Sequence, residues 1–253
     1  DRGLDYFHAY VCENLGAPDE RVTSGTLDAI AGQRFAEPNI LILVRENTRP
    51  DRPVDQNRFR LFGNPDEVFE QNKPKRGLLT PAEIRALALA EMDVGPASLV
   101  WDVGTGSGSL AVEAAQLARH GRVFAIDMDP QALELTRRNA QRFGLDNLRP
   151  VLGQAPEAWA SLPDPDAVFV GGTGRQVASL VRAAFARLRP GGRVVAHVAS
   201  LQNATSAYEA LLAQEADPNI WLLQFARGSL HLDQLRFESV NPSFLIGAVK
   251  SRW

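Results

Sequence analysis

Three features of this 253-residue chain predict a doubly wound α/β fold. Short apolar runs alternate with helix-like stretches from residue 99 to residue 198, the pattern of parallel strands joined by crossover helices. The first of these runs ends in a loop containing Gly104, Gly106 and Gly108 that opens straight into a helix. The last two apolar runs have no helical stretch between them, so they are expected to pair antiparallel at the sheet's edge.

From Asp1 to Arg45 the sequence reads as a short helical stretch, a turn at Gly16 to Pro18, a second helical stretch at Thr26 to Ala31 and an apolar run, Ile40 to Val44, taken as a buried strand. The following ENTRPDRPVDQN carries two prolines, many charges and almost nothing apolar, the composition of a linker. It separates a partial α/β segment, residues 1–48, from the main domain, residues 58–253, with 49–57 between them. In that domain the strands are expected at Leu99 to Val103, Val123 to Asp127, Leu148 to Leu152, Ala167 to Val170 and Arg193 to Val198. Helices fall at Leu110 to Ala118, Pro130 to Phe143 and Gln176 to Leu188, each closed by a nearby glycine or proline. Ile220 to Ala226 and Ser243 to Lys250 complete a seven-stranded sheet. The segment between those two, RGSLHLDQLRFESVNP, is expected to form a flap.

Composition narrows the function. Hydrophobic residues make up 45% of the chain, enough for a sizeable core, yet no run approaches the ~18 apolar residues that would span a bilayer. The opening DRGLDYFHAY lacks the charged, apolar and cleavage regions of a signal peptide, and a single cysteine, Cys12, allows neither an internal disulfide nor a multi-thiolate metal site. A cytoplasmic protein with no metal is the expectation. A net charge of −3 argues against wrapping nucleic acid by bulk electrostatics and favours a small-molecule partner. Because the chain opens at Asp1 directly into patterned sequence, it reads as a fragment.

The stretch LVWDVGTGSGSLAVEAA, residues 99–115, carries the most chemistry. Its glycines permit positive backbone dihedrals and let a ligand approach main-chain amides at a helix N-terminus. A dinucleotide loop needs a glycine or alanine three positions after its second glycine, where Ser109 stands instead; G-x-G-x-G is the methyltransferase form. Asp127 closes the next strand about twenty residues later, where a carboxylate can accept both ribose hydroxyls of an adenosine group. Asp129, just before Pro130, suits a helix cap instead. After the third strand, Gly153 to Pro156 should flank the adenine, because ligands of open α/β sheets sit beyond the strands' carboxyl ends. Neither Gln154 nor Ala155 is the acidic residue that many methyltransferases place there.

Taken together, GLLTPAEIRALAL at 77–89, the glycine loop, GQAPEAW, DPDAVFVGGTG at 164–174, LRPGGRVVAH, FARGSLH at 225–231 and FESVNPSFLI at 237–246 resemble the decarboxylating precorrin-6B methyltransferase family. The resemblance spans essentially all of 58–253, and VGGTG, ARG and NP at these spacings are its most specific elements. The segment CENLGAPDERVTSGTLDAIAGQRFAEPNILIL is similar to the closing part of the tetrapyrrole methylase acting at carbon 5, which is fused ahead of the carbon-15 enzyme in some organisms; the first half of that domain is not in this chain.

The resemblance implies a Rossmann-like class I methyltransferase that uses S-adenosylmethionine to methylate carbon 15 of a precorrin and remove the carboxyl of its ring C acetate arm, in cobalamin biosynthesis. It implies cofactor contacts from Thr80, Asp102, Gly104, Thr105, Gly106, Ser107, Gly108, Asp127, Met128, Gly153, Ala155 and Pro156. Gly171, Gly172, Thr173 and the ARG segment are placed near the macrocycle, and a homo-oligomer, a tetramer, is implied. Two glycines after a strand leave a flat, open approach suited to a large planar substrate. Precorrins carry many carboxylates, so Arg76, Arg175, Arg227 and Arg236 are candidates to bind them. His197 and His231 are candidate proton donors for the decarboxylation. A methyltransferase for tRNA or protein would carry the same loop and strand-end acid, but the basic face with interleaved aromatics that would favour it is not evident. A module that binds a tetrapyrrole or adenosine group without chemistry is the other alternative.

Overall fold

The computed structural model of the chain describes residues 7–45, 59–71 and 79–251. They fall into two compact units, Asp1–Phe59 and Arg60–Trp253.

The smaller unit is a three-stranded antiparallel sheet, β1 (Phe7–Glu13), β2 (Arg21–Thr26) and β3 (Asn39–Arg45), in the order β2-β1-β3. A five-residue helix, α1 (Leu27–Ala31), begins where Thr26 turns its hydroxyl to accept the amide of Ala29. Ala9, Val11 and Ile30 are buried together with Leu27 and Phe35 against them. The first segment is therefore a strand and not the expected helical stretch: FHAYVCE is rich in β-branched and aromatic side chains, and it takes the central place. Ile40 to Val44 do form a strand, but as β3 they lie at the sheet's edge and are 43–55% exposed, where a buried strand was expected.

The larger unit carries a seven-stranded sheet. Its strands are β4 (Leu99–Val103), β5 (Arg122–Asp127), β6 (Leu148–Leu152), β7 (Ala167–Val170), β8 (Arg193–Val198), β9 (Asn219–His231) and β10 (Gln234–Val249), in the order β6-β5-β4-β7-β8-β10-β9. β4 to β8 run parallel, and β10 is antiparallel to both β8 and β9. The helices are α2 (Ala82–Met92), α3 (Ser109–Leu117), α4 (Pro130–Arg142), α5 (Val177–Arg187) and α6 (Leu201–Leu212). Strands covered on both sides are mostly apolar, which is why β7 reads as a continuous hydrophobic run and β4 departs from one only at Asp102. Trp101 of β4 is fully buried and stacks on Trp159, 5.3 Å between ring centres.

Register determines where a ligand can sit. Val103 lies opposite both Ile126 and Val170, and Val170 lies opposite Ala196. The next residues along these four strands are Gly104, Asp127, Gly171 and His197, so they form one row at the sheet's carboxyl rim.

The expected flap is strand. β9 and β10 continue as a two-stranded arm beyond the sheet, closed by a turn in which Leu232 and Asp233 both take positive φ, 47° and 61°. The pairing shifts between Val240 and Ser243, around Pro242, which has no amide to give to the ladder. On this arm Leu230, Leu232, Leu235 and Phe237 are 66–84% exposed. Among the described residues, no helix is long and apolar enough to cross a membrane.

Candidate active site

A cleft of about 670 Å³ opens along the carboxyl rim. Its floor is the loop after β4, shaped by what glycine alone permits. Gly104, Gly106 and Gly108 have φ of 75°, 57° and 76°. A Cβ on Gly104 would lie 1.9 Å from the carbonyl oxygen of Gly171, so the loops after β4 and β7 touch backbone to backbone. The amides of Gly104 and Thr105 both donate to the carbonyl of Ile126, at 2.9 and 3.2 Å, which seats the loop on β5.

Two carboxylates hold this loop from opposite sides. Asp127, at the end of β5, accepts the Gly106 amide on Oδ2 and the Asp129 amide on Oδ1, both at 2.9 Å, and lines the cleft. Asp129 turns away and caps α4 by accepting the amide of Gln131. Asp102 points inward: its Oδ2 accepts the Thr105 hydroxyl at 2.6 Å and the Ala111 amide at 3.1 Å. Burial pushes its carboxyl up to about 7, against the two hydrogen bonds that lower it. The expected cofactor contact from Asp102 is thus corrected. Side chains alternate along a strand, and this one braces the loop from inside.

The wall on which the sequence placed the adenine comes from Met128, Gly153, Gln154 and Ala155. Gly153 donates its amide to the Asp127 carbonyl at 3.0 Å, which ties this turn to the end of β5. Pro156 starts the turn that carries the buried Trp159 and, like Ser107 and Gly108, does not line the cleft. Across the floor lie Gly172, Thr173 and Gly174, while Gly171 is buried against Gly104. Arg175 is exposed and does not line the cleft.

A far wall, from the start of α5 and the β8 to α6 junction, was missed: Gln176, Leu180, Val198, Ala199, Ser200 and Asn203. One signal was available, since Ser200 stands two residues after the end of β8 and caps α6 by accepting the Asn203 amide. Thr80 also lines the cleft, from a segment before α2.

His197 lines the cleft with its Nε2 buried and without a hydrogen-bond partner. Desolvation lowers its imidazole to about 4, so at neutral pH the ring is uncharged and cannot serve as the imidazolium donor that was expected. His231 and Arg236 are exposed on the arm and do not line the cleft. Arg227 is occupied by the protein's own acids: Nε and Nη2 donate to the two oxygens of Glu83 at 2.8 and 2.6 Å, and Nη2 to Asp66 at 2.9 Å. These bonds raise the guanidinium's pKa further and hold the Glu83 carboxyl below its ordinary value. With its fork filled, Arg227 is not the open carboxylate clamp expected of it. Arg76 lies outside the described residues.

Asp102 and His197 have opposite consequences for stability. Between about pH 4 and 6.5 the folded chain keeps the Asp102 proton that the unfolded chain, with an ordinary value of 3.8, has lost, so stability falls as pH rises. Over the same window the unfolded chain protonates His197, ordinarily at 6.5, while the folded chain does not, so stability rises with pH. The two slopes cancel. Asp102→Asn, which keeps an oxygen for Thr105 and Ala111, should unmask the His197 slope of roughly 1.4 kcal/mol per pH unit in this window. Urea unfolding across that range measures it, and a flat profile for the variant would mean that His197 is charged or hydrated in the folded state.

A family model described as a precorrin methyltransferase domain matches residues 67–228. The chain belongs to the precorrin methyltransferase family. Its seven-stranded sheet with the antiparallel terminal pair is the Rossmann-like methyltransferase fold. The chain is 38% identical over 188 residues to the probable cobalt-precorrin-6B C(15)-methyltransferase (decarboxylating) of Pyrobaculum calidifontis, which covers 74% of this chain and 95% of that protein. It is also 38% identical over 135 residues to the precorrin-6Y C(5,15)-methyltransferase (decarboxylating) of a Sinorhizobium species, covering 53% of this chain and 32% of that one. The crystal structure of a precorrin-6Y C5,15-methyltransferase from Geobacter metallireducens matches with a TM-score of 0.71 at 33% identity, over 76% of this chain and all of that one. The glycine loop, Asp127 and the Gly172 floor of this precorrin methyltransferase chain all lie within residues 67–228.

Proposed function

We propose that this chain uses S-adenosylmethionine to methylate carbon 15 of a precorrin and to remove the carboxyl of the ring C acetate arm, in the cytoplasmic synthesis of cobalamin. The observation that carries this reading is the likeness to the Pyrobaculum protein over 95% of that protein's length, in a chain whose loop, acid and glycine floor line one cleft. The residues fit the cofactor. The space beside Gly104 and Gly171 admits no side chain, the Gly106 amide and Asp127 are already locked together, and Asp127 retains lone pairs for ribose hydroxyls. Bound S-adenosylmethionine would supply an electrophilic methyl carbon on a sulfonium. Thr80, Gly104 to Gly106, Asp127, Met128, Gly153 and Ala155 would hold it; Asp102 fixes the loop beneath.

The chain's own contribution is placement and exclusion of water, since an electron-rich macrocycle needs alignment more than a strong base. Gly172, Thr173 and Gly174 leave a flat approach for the ring, and Leu180 and Val198 give the far wall apolar surface. His197, as a neutral imidazole, has a buried nitrogen free to hydrogen-bond the substrate at the end of β8. Residues 1–48 are read as the closing part of a carbon-5 methylase domain and 49–57 as its linker, and the activity proposed for residues 58–253 is the one at carbon 15. The exposed leucines and Phe237 of the β9–β10 arm favour self-association, because a two-stranded ribbon rarely stands alone in water.

Incubation with S-adenosylmethionine and precorrin-6B, followed by mass spectrometry, should show one methyl gained and one carbon dioxide lost. Cofactor binding without transfer to any precorrin would reduce the protein to a binding module, and a methyl at carbon 5 would overturn the reading of residues 1–48. Light scattering on the same sample reads the assembly; a monomer would end the proposal for the arm.

A further inference from the structure

We infer that Arg85 is a positioning residue for the cofactor end of the cleft, fixing the backbone of Thr80 through a buried charge network that also reaches the β9–β10 arm. The inference deepens the proposed function and rests on it.

Arg85, in the first turns of α2, has no exposed surface. Its Nη1 donates to the carbonyl of Thr80 and, at 2.9 Å, to Oδ1 of Asp66; its Nη2 donates to the carbonyl of Asn64. The guanidinium lies 4.7 Å above the ring of Phe69 and 3.5 Å from the carboxylate of Glu113. Glu113, on α3 and equally buried, accepts the amides of Gly63 and Asn64 at 2.8 Å each. The second oxygen of Asp66 takes Arg227 of β9, which in turn holds Glu83 of α2. Two cations and three anions thus run from α3 through α2 to the root of the arm.

A network of this kind is a poor way to gain stability, because well-packed apolar side chains of the same volume usually do as well or better than buried ions. What the charges supply is register. The segment from Arg60 to Gln71 contains only the three-residue turn Asp66–Val68, and neither it nor Thr80 belongs to the sheet that forms the rest of the cleft. Arg85 reaches three backbone or side-chain oxygens of these stretches with one rigid fork, a geometry lysine cannot copy. Thr80 is therefore held at the cleft by its carbonyl, while its side chain stays available to the cleft.

The test measures S-adenosylmethionine and S-adenosylhomocysteine affinity by calorimetry and separates KM from kcat. Arg85→Met alone would strand the Glu113 charge and risk unfolding, so it is paired with Glu113→Gln, which keeps an oxygen for the amides of Gly63 and Asn64. This neutral pair should keep its thermal midpoint near that of the parent, weaken both ligands roughly tenfold as one charge-assisted anchor is lost, and raise KM for the cofactor with little change in kcat. Arg85→Lys should restore the charge but not the affinity. Parental affinity in the neutral pair makes Arg85 purely structural and overturns the inference; if that pair does not fold, parental affinity in Arg85→Lys does the same. Failure of the parent chain itself to bind S-adenosylmethionine would instead bring down the proposed function.

Discussion

Gly104→Ala should cost the molecule its cofactor and much of its thermal margin. The added methyl would meet the Gly171 carbonyl oxygen at 1.9 Å, and both parties are backbone, so no side chain can swing aside. Relief requires prising apart the loops after β4 and β7, where the Gly171 amide donates to Val103 at 2.9 Å. Overpacking of this sort costs about 1–3 kcal/mol, and an L-residue held at φ 75° adds roughly 1–2 more. For a domain of this size the midpoint should drop by roughly 5–15 °C. Affinity for S-adenosylmethionine should fall beyond calorimetric reach, because the displaced loop carries the Gly106 amide away from Asp127. A variant with parental midpoint and affinity would show that the two loops have slack and that the contact does not shape the site.

Asp127→Ala is expected to weaken S-adenosylmethionine at least about tenfold, since hydrogen bonds to a charged acceptor are worth roughly 1.5–3 kcal/mol each. The structure adds a second cause. The same carboxylate anchors the Gly106 amide, so its loss frees the loop as well as the ribose partner. Asp127→Asn keeps an acceptor for that amide and should lose less, which separates the two contributions. Unchanged affinity in the alanine variant, read by calorimetry, would remove Asp127 from the site.

The parallel strands were legible because β4, β5, β7 and β8 are buried along most of their length and so are largely apolar runs, while β6, at the sheet's edge, is a shorter apolar signal. β4, β6, β7 and β8 end where the pattern of hydrophobic residues ends. The arm was harder to see. Its residues alternate, as in Leu230, Leu235 and Phe237 against polar neighbours, but its turn uses Leu232 and Asp233 in place of the Asn-Gly or Gly pairs that mark a hairpin, and Pro242 interrupts the pattern. For the site, the loop and Asp127 are local signals carried by a few adjacent residues. The far wall of Gln176, Leu180 and Asn203 depends on how α5 and α6 cross the sheet, which no short motif records. Arg227 shows the same limit from the other side. An arginine beside a carboxylate-rich substrate looks like a clamp until Glu83 and Asp66, more than 140 positions away, fold onto it.

The stacked indoles of Trp101 and Trp159 place a pair of chromophores behind the cleft wall formed by Gln154 and Ala155. Trp159 follows directly on the turn of Gln154 and Ala155, and the Ala158 amide beside it donates to the Gln154 carbonyl at 2.8 Å. Two ring systems 5.3 Å apart in a rigid core couple their transitions, so the molecule carries its own optical gauge of that wall. Near-ultraviolet circular dichroism can therefore follow ligand entry without a label, in the parent chain and in every variant above.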